Sequence, residues 1–191
     1  LFADLTESWP QRYKVVHFVA LYRVDENNTL RLREVTPNDT PELRSGSSLL
    51  RVVPNARREL WADARQWRSH FVIQTAEQST PRLNILYPVV SRENQFDAAQ
   101  LLSVLHLGID IKQFILTGLH HAEQGATRLR IFNSDDNNAA LFDSSPAASN
   151  DNTAKAMRHT EFSLLTGGLN WRLHFSTAID YHLSDFLWRN N

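Results

Sequence analysis

Apolar and polar positions alternate with a period of two along most of this chain, and a helical period surfaces only in short stretches. Residues 14–24 (KVVHFVALYRV) are rich in β-branched and aromatic side chains. The turn-prone Asp25-Glu26-Asn27-Asn28 follows, and then Leu30, Leu32 and Glu34 alternate with Thr29, Arg31 and Arg33. This pattern predicts a β-hairpin. Three further strand-like runs occupy 69–75 (SHFVIQT), 82–90 (RLNILYPVV) and 100–111 (QLLSVLHLGIDI), separated by polar turns. A second strand-rich stretch covers 127–133, 139–144, 160–166 and 169–178, and Gly167-Gly168 predicts a tight hairpin between its last two strands. Within 82–90, Leu83, Ile85, Tyr87 and Val89 share one face, and Asn84, Leu86, Pro88 and Val90 share the other. In the next run Leu101, Ser103, Leu105 and Leu107 alternate with Leu102, Val104, His106 and Gly108.

Helical spacing appears in three places. Leu1, Phe2, Leu5 and Trp9 read as the last turns of a helix closed by Pro10. In NARRELWADARQWR (55–68), Leu60, Ala64 and Trp67 fall on one face and Asn55 can cap the helix. Residues 112–124 place Phe114, Ile115, Leu119 and Ala122 together and end at Gly125. The small, polar residues 145–158 read as a connection, and YHLSDFLWRN near the end could begin an outgoing helix. Residues 22–28 are echoed by 131–138: each is an apolar strand, an acidic-Asn-Asn turn and a second strand. Strands in hairpin-connected groups point to an α+β fold of antiparallel sheets flanked by helices, not to parallel βαβ winding. The order of the first 111 residues is the plan of a PAS-like sensor module, with hairpins at both sheet edges and helices on one face.

Composition narrows the function classes. In 191 residues, 20 Lys and Arg balance 21 Asp and Glu, for a net charge of −1, whereas a phosphate-gripping protein needs a basic excess. Nucleic acid is therefore not an expected partner. With no cysteine, a thiolate nucleophile, a disulfide framework and a sulfur-ligated zinc site are excluded. No apolar run reaches the roughly 20 residues that span a bilayer. The chain opens on Leu1 without a signal peptide and reads as an excised domain.

From Arg58 onward, three blocks resemble the CHASE family of extracytoplasmic sensory domains. They are RRELWADARQ (57–66), LNILYPVVSRENQFDAAQLLSVLHLGIDIKQFI (83–115) and LLTGGLNWRLHFSTAIDY (164–181). The resemblance implies a stalk helix ending near residue 13, a distal PAS-like ligand-sensing lobe over 14–111, and a connecting helix with a smaller, membrane-proximal PAS-like lobe over 112–191. It also implies a periplasmic or extracellular position in an inner-membrane receptor. The partner would be an unknown small molecule, the receptor a homodimer, and the output a histidine kinase or a cyclic-di-GMP cyclase or phosphodiesterase. Plant members that bind adenine-type hormones carry an acidic residue shortly before the helix resembling 57–66. Leu49-Leu50-Arg51-Val52-Val53 has none here, so an adenine-like ligand is disfavoured and Arg51 hints at an anionic one.

A ligand pocket needs an apolar lining with a few convergent polar groups. Tyr87, Ser103 and His70, with Trp67 or Arg65 on the covering helix, could supply them, beside Ile85, Leu105 and the backbone of Val72. The competing reading of each is an ordinary core or sheet-surface residue. His120-His121 with Glu123 is no metal site, because only His120 and Glu123 share a helical face and the two-histidine helical motif is missing. Neither Gly-x-Ser-x-Gly nor a phosphate-cradling glycine loop occurs, and Asp135-Asp136 sits in a solvated turn. No catalytic residue, cofactor or metal is expected. The leading expectation is a ligand-sensing receptor domain, with a ligand-free envelope interaction module as the alternative and a small enzyme third.

Overall fold

A computed structural model of the chain describes residues 2–37, 40, 43–54, 56, 68–75, 81–91, 100–119, 127–133, 140–144, 157–166 and 168–178. The chain divides into two compact units. Each unit is built on one antiparallel sheet, with few helices among the described residues.

The first unit opens with two short helices, α1 (Phe2–Thr6) and α2 (Trp9–Arg12). Pro10 lies in the first turn of α2 and does not close a helix, because the amide it lacks has no intrahelical partner at that position. The strands are β1 (Val16–Val24), β2 (Leu30–Thr36), β3 (His70–Gln74), β4 (Arg82–Ser91) and β5 (Gln100–Asp110), arranged β2-β1-β5-β4-β3. The expected β1–β2 hairpin forms. Asp25 Oδ1 accepts the amides of Asn27 (3.0 Å) and Thr29 (2.8 Å), and Arg31 Nε donates to Oδ2 at 2.6 Å. These bonds, led by that from Thr29, hold the Asp25 carboxyl below its ordinary range. The sequence pattern missed a helical turn, α3 (Leu49–Val52), which is too short to display a period. The anticipated helix over 55–68 lies outside the described residues except for Ala56 and Arg68.

One face of this sheet is the core. Phe18, Ala20 and Tyr22 of β1, Leu32 of β2, Leu86 of β4 and Leu101 and Val104 of β5 pack there with Leu49 and Val52 of α3 and with Val53 and Ala56. Three bulges set which residues reach it. Val89 pairs with Ser103 but Val90 pairs with Leu101, so Leu102 is the extra residue. Leu101 thereby joins Val104 in the core, contrary to strict alternation, and Leu102 turns to solvent. Skips at His17 and Arg33 likewise keep Phe18 and Leu32 facing inward. On the opposite face, the Thr6 and Thr36 hydroxyls meet at 3.2 Å where α1 approaches β2. Helices therefore lie on both faces of the sheet, and not on one as the pattern suggested. The helix α4 (Ile111–Leu119) follows β5 directly, and Asp110 Oδ1 accepts the Gln113 amide at 2.9 Å.

The second unit contains β6 (Thr127–Asn133), β7 (Ala140–Asp143), β8 (Met157–Thr166) and β9 (Leu169–Ala178), arranged β7-β6-β9-β8. Its order reproduces β2-β1-β5-β4 of the first sheet: a hairpin, then the last strand beside the hairpin's first strand, then the strand before it. The sequence echo between 22–28 and 131–138 falls on the two corresponding hairpins, although 134–138 lie outside the described residues. Among its described residues, Leu129, Ile131, Leu141 and Phe142 are the buried apolar positions. Arg128 clasps Asp143 through Nε (2.9 Å) and Nη2 (2.5 Å), and Arg130 Nε adds a third bond at 3.0 Å.

Gly168 sits at φ +76°, the left-handed conformation that a tight β8–β9 turn demands. Gly168→Ala should therefore destabilise the chain by about 1 kcal/mol even though a Cβ there meets nothing within 4 Å. A thermal melt of the variant checks this.

Candidate functional site

Burying a polar atom without a partner costs about 1–3 kcal/mol, so a core that does so calls for a reason. The core face of the five-stranded sheet carries an Asn and a His, both fully buried. Strand register aligns them: Ala20, His106, Leu86 and His70 form one row across β1, β5, β4 and β3, and Phe18, Gly108, Asn84 and Val72 form the next. Tyr22 occupies the row beyond, opposite Val104.

Asn84 Nδ2 lies 3.4 Å from both the Val72 carbonyl and Gln74 Oε1, which turns Oδ1 toward His106. His106 Nε2 is 2.8 Å from that Oδ1. Because Oδ1 can only accept, Nε2 carries the proton, and Nδ1 presents a lone pair. Burial, reinforced by the positive charge of Arg82, pushes the His106 pKa down to about 3, so the ring is neutral across the physiological range. Among the described residues Nδ1 has no hydrogen-bond partner, and neither has the hydroxyl of the fully buried Tyr22. Burial holds the Tyr22 phenol well above its ordinary range, so it remains an O–H donor. The two rings lie 5.9 Å apart at 37°, and Phe18 presses edge-on against His106 at 4.8 Å. Arg82 lies 5.4 Å over the Phe18 ring. An unused acceptor and an unused donor are therefore carried by two neighbouring buried rings.

The residues expected from sequence divide between two faces of the sheet. His70 and Val72 lie on the core face, in the rows of His106 and Asn84. Ile85, Tyr87, Ser103 and Leu105 lie on the opposite face, where Tyr87 pairs with Leu105 and is 48% exposed. Tyr87 and Ser103 thus do not converge with His70, because strand positions one residue apart point to opposite sides. Arg51 is solvent-exposed on α3. Arg65, Trp67, His120, His121, Glu123 and Asp135-Asp136 lie outside the described residues. Tyr22, Asn84 and His106 were missed, although a polar residue at an inward position of an apolar strand was a signal available in Asn84 and His106.

No known protein family and no curated protein matches the sequence, the CHASE family included. Solved structures share the fold. The periplasmic domain of RsbU from Chlamydia trachomatis superposes with a TM-score of 0.57 at 10% identity, over 97% of this chain and 78% of that one. An extracellular ligand-binding receptor from Desulfohalobium retbaense superposes with a TM-score of 0.56 at 10% identity, over 92% of this chain and 33% of that one. The chain thus spans a third of the second protein's length. Its two antiparallel sheets have the fold seen in a periplasmic sensor domain and in an extracellular ligand-binding receptor.

Proposed function

We propose that this chain is the extracytoplasmic small-molecule-sensing part of a transmembrane signalling receptor, with no catalysis of its own. The observation that carries the reading is the pair of buried, unpartnered polar atoms, Tyr22 Oη and His106 Nδ1, on the core face of the first sheet. The fold likeness supports it, as does the repeated strand order, which suits tandem PAS-like lobes with recognition in the first. His106 lies on β5, four residues before the Asp110 cap of α4. A ligand held by His106 would favour one setting of β5 and α4, a population shift passed on to the second lobe and, in a homodimer, across the membrane to a kinase or cyclic-di-GMP output.

A thermal-shift screen of the 191-residue chain against small metabolites tests the reading. A compound present at 100 times its Kd adds about 2.7 kcal/mol to stability. At least one compound should raise the melting temperature of the wild type and lose that effect in Tyr22→Phe and His106→Leu. Shifts that persist unchanged in both variants contradict a site on this face.

One observation favours the second reading, an envelope protein-interaction module. The strand β8, at the edge of its sheet, exposes Phe162, Leu164 and Leu165 by 57%, 52% and 74%. That reading predicts no small-molecule response anywhere in the screen.

A further inference from the structure

An edge strand leaves a row of backbone N–H and C=O groups unpaired, and proteins shield such rows with proline, lysine, a bulge or a covering segment. Among the described residues, three of the four sheet edges are shielded or short. Residues 46–48 bond along the outer side of β2, where Leu32 donates to the Ser47 carbonyl at 2.8 Å and Gly46 donates to the Leu32 carbonyl at 3.1 Å. The edge strand β3 is half-buried along its length, and β7 has four residues, two of them buried. The fourth edge, β8, runs for ten residues without proline or lysine and is exposed at every position from 157 to 165.

The side chains of β8 suit a second copy of the same strand. His159 meets Ser176 at 2.9 Å and Glu161 meets His174 at 3.3 Å, the alignment with β9 that a two-residue turn between Thr166 and Leu169 imposes. Thr160, Phe162 and Leu164 then direct their amides and carbonyls at β9, and those of His159, Glu161 and Ser163 face the open edge. Two copies joined antiparallel about a two-fold axis keep each residue on its own face, so one residue must lie on the axis and face itself. With Glu161 on the axis, carboxylate faces carboxylate. With Phe162 there, Glu161 faces Ser163 and His159 faces Leu165, so neither gains a complementary partner. With Thr160 there, Glu161 of each copy faces His159 of the other, whose Nε2 is not engaged by Ser176. Arg158 then faces the Phe162 ring, and the two Thr160 side chains face each other.

We propose that β8 is a dimer seam, pairing antiparallel with β8 of a second copy about an axis at Thr160, so that the second-unit sheets of both copies become continuous. Such a seam supplies the homodimer of the receptor reading, and it accounts for the exposed edge without an envelope partner. Its test reads association alone, so its failure is distinct from a failure of small-molecule sensing.

Sedimentation equilibrium of the full chain is expected to show a reversible dimer. His159→Glu sets carboxylate against carboxylate twice and should weaken it by about 10-fold or more. His159→Lys, which keeps a donor opposite Glu161, should associate at least as tightly as wild type. The register is read by oxidation, since the chain has no cysteine of its own. Thr160→Cys should form a disulfide between copies, because facing residues that exchange no hydrogen bonds stand about 4.5 Å apart at Cα, within the reach of that bond. Phe162→Cys, which is out of register with its own copy, should stay uncrosslinked. His159, Thr160 and Phe162 are all exposed, so the substitutions leave the fold in place. A chain that stays monomeric up to millimolar concentration overturns the proposal. So does a dimer indifferent to His159→Glu, or crosslinking through Phe162→Cys in place of Thr160→Cys.

Discussion

Gly108→Ala is expected to destabilise the protein by about 3 kcal/mol, an unusually large effect for adding one methyl group. A Cβ on Gly108 would stand 2.6 Å from Phe18 Cζ and 2.8 Å from Cδ1. The ring has nowhere to retreat: it is fully buried, with the His106 ring centroid 4.8 Å away and the Arg82 guanidinium 5.4 Å over it. Phe18 also faces Gly108 directly across the β1–β5 ladder. Glycine is needed here for the close approach of a side chain and not for an unusual backbone angle. Phe18→Leu alone should cost about 1–3 kcal/mol for the cavity it leaves, and the double variant should cost clearly less than the two added together. Urea unfolding of the four proteins checks the cycle. A Gly108→Ala protein as stable as wild type would show that the ring is not boxed in.

The second large effect is acid sensitivity through His106. Its pKa is about 3 in the folded protein, against about 6.5 in an unfolded chain. Between those values the unfolded state binds one more proton than the folded state, so protonation favours unfolding and stability falls as pH falls. The slope approaches 1.4 kcal/mol per pH unit, and the loss between pH 7 and pH 5 comes to about 2 kcal/mol from this group. The stabilisation is fully present above about pH 6.5 and is progressively lost below it. His106→Leu lacks the titration but orphans the Asn84 carbonyl, so it should be about 1–3 kcal/mol less stable at pH 7.5. That deficit should shrink by about 2 kcal/mol by pH 5. Denaturant melts of both proteins across this range decide the matter, and parallel pH profiles would mean that His106 has the same pKa in the folded and unfolded states.

Much of the fold is legible in residue patterns because sheets impose a simple rule. The runs 82–90 and 100–111 became β4 and β5 with nearly the same limits, and the acidic-Asn-Asn turn became the β1–β2 hairpin. The bulges were not legible, since an inserted residue leaves no compositional mark. They are why Leu101 faces the core and Leu102 does not. The four-residue α3 is shorter than the window in which a period can be recognised. For the site, the alternation of 82–90 was read correctly, but the pocket was assembled from both faces of the sheet: Tyr87 and Ser103 stand on one, His70 and Val72 on the other. What singles out Tyr22 and His106 is that their polar atoms lack partners, and this depends on cross-strand register. Only coordinates supply that. Asn84 and His106 are 22 positions apart in the chain, and nothing in either strand alone announces their 2.8 Å contact.

The most direct measurement is a crystal structure of the chain with a stabilising compound from the metabolite screen. The compound should occupy the core face of the first sheet, with one of its donors within hydrogen-bond distance of His106 Nδ1 and one of its acceptors within reach of the Tyr22 hydroxyl. A compound seated elsewhere, with both atoms bonded to protein groups, would contradict small-molecule recognition at this face.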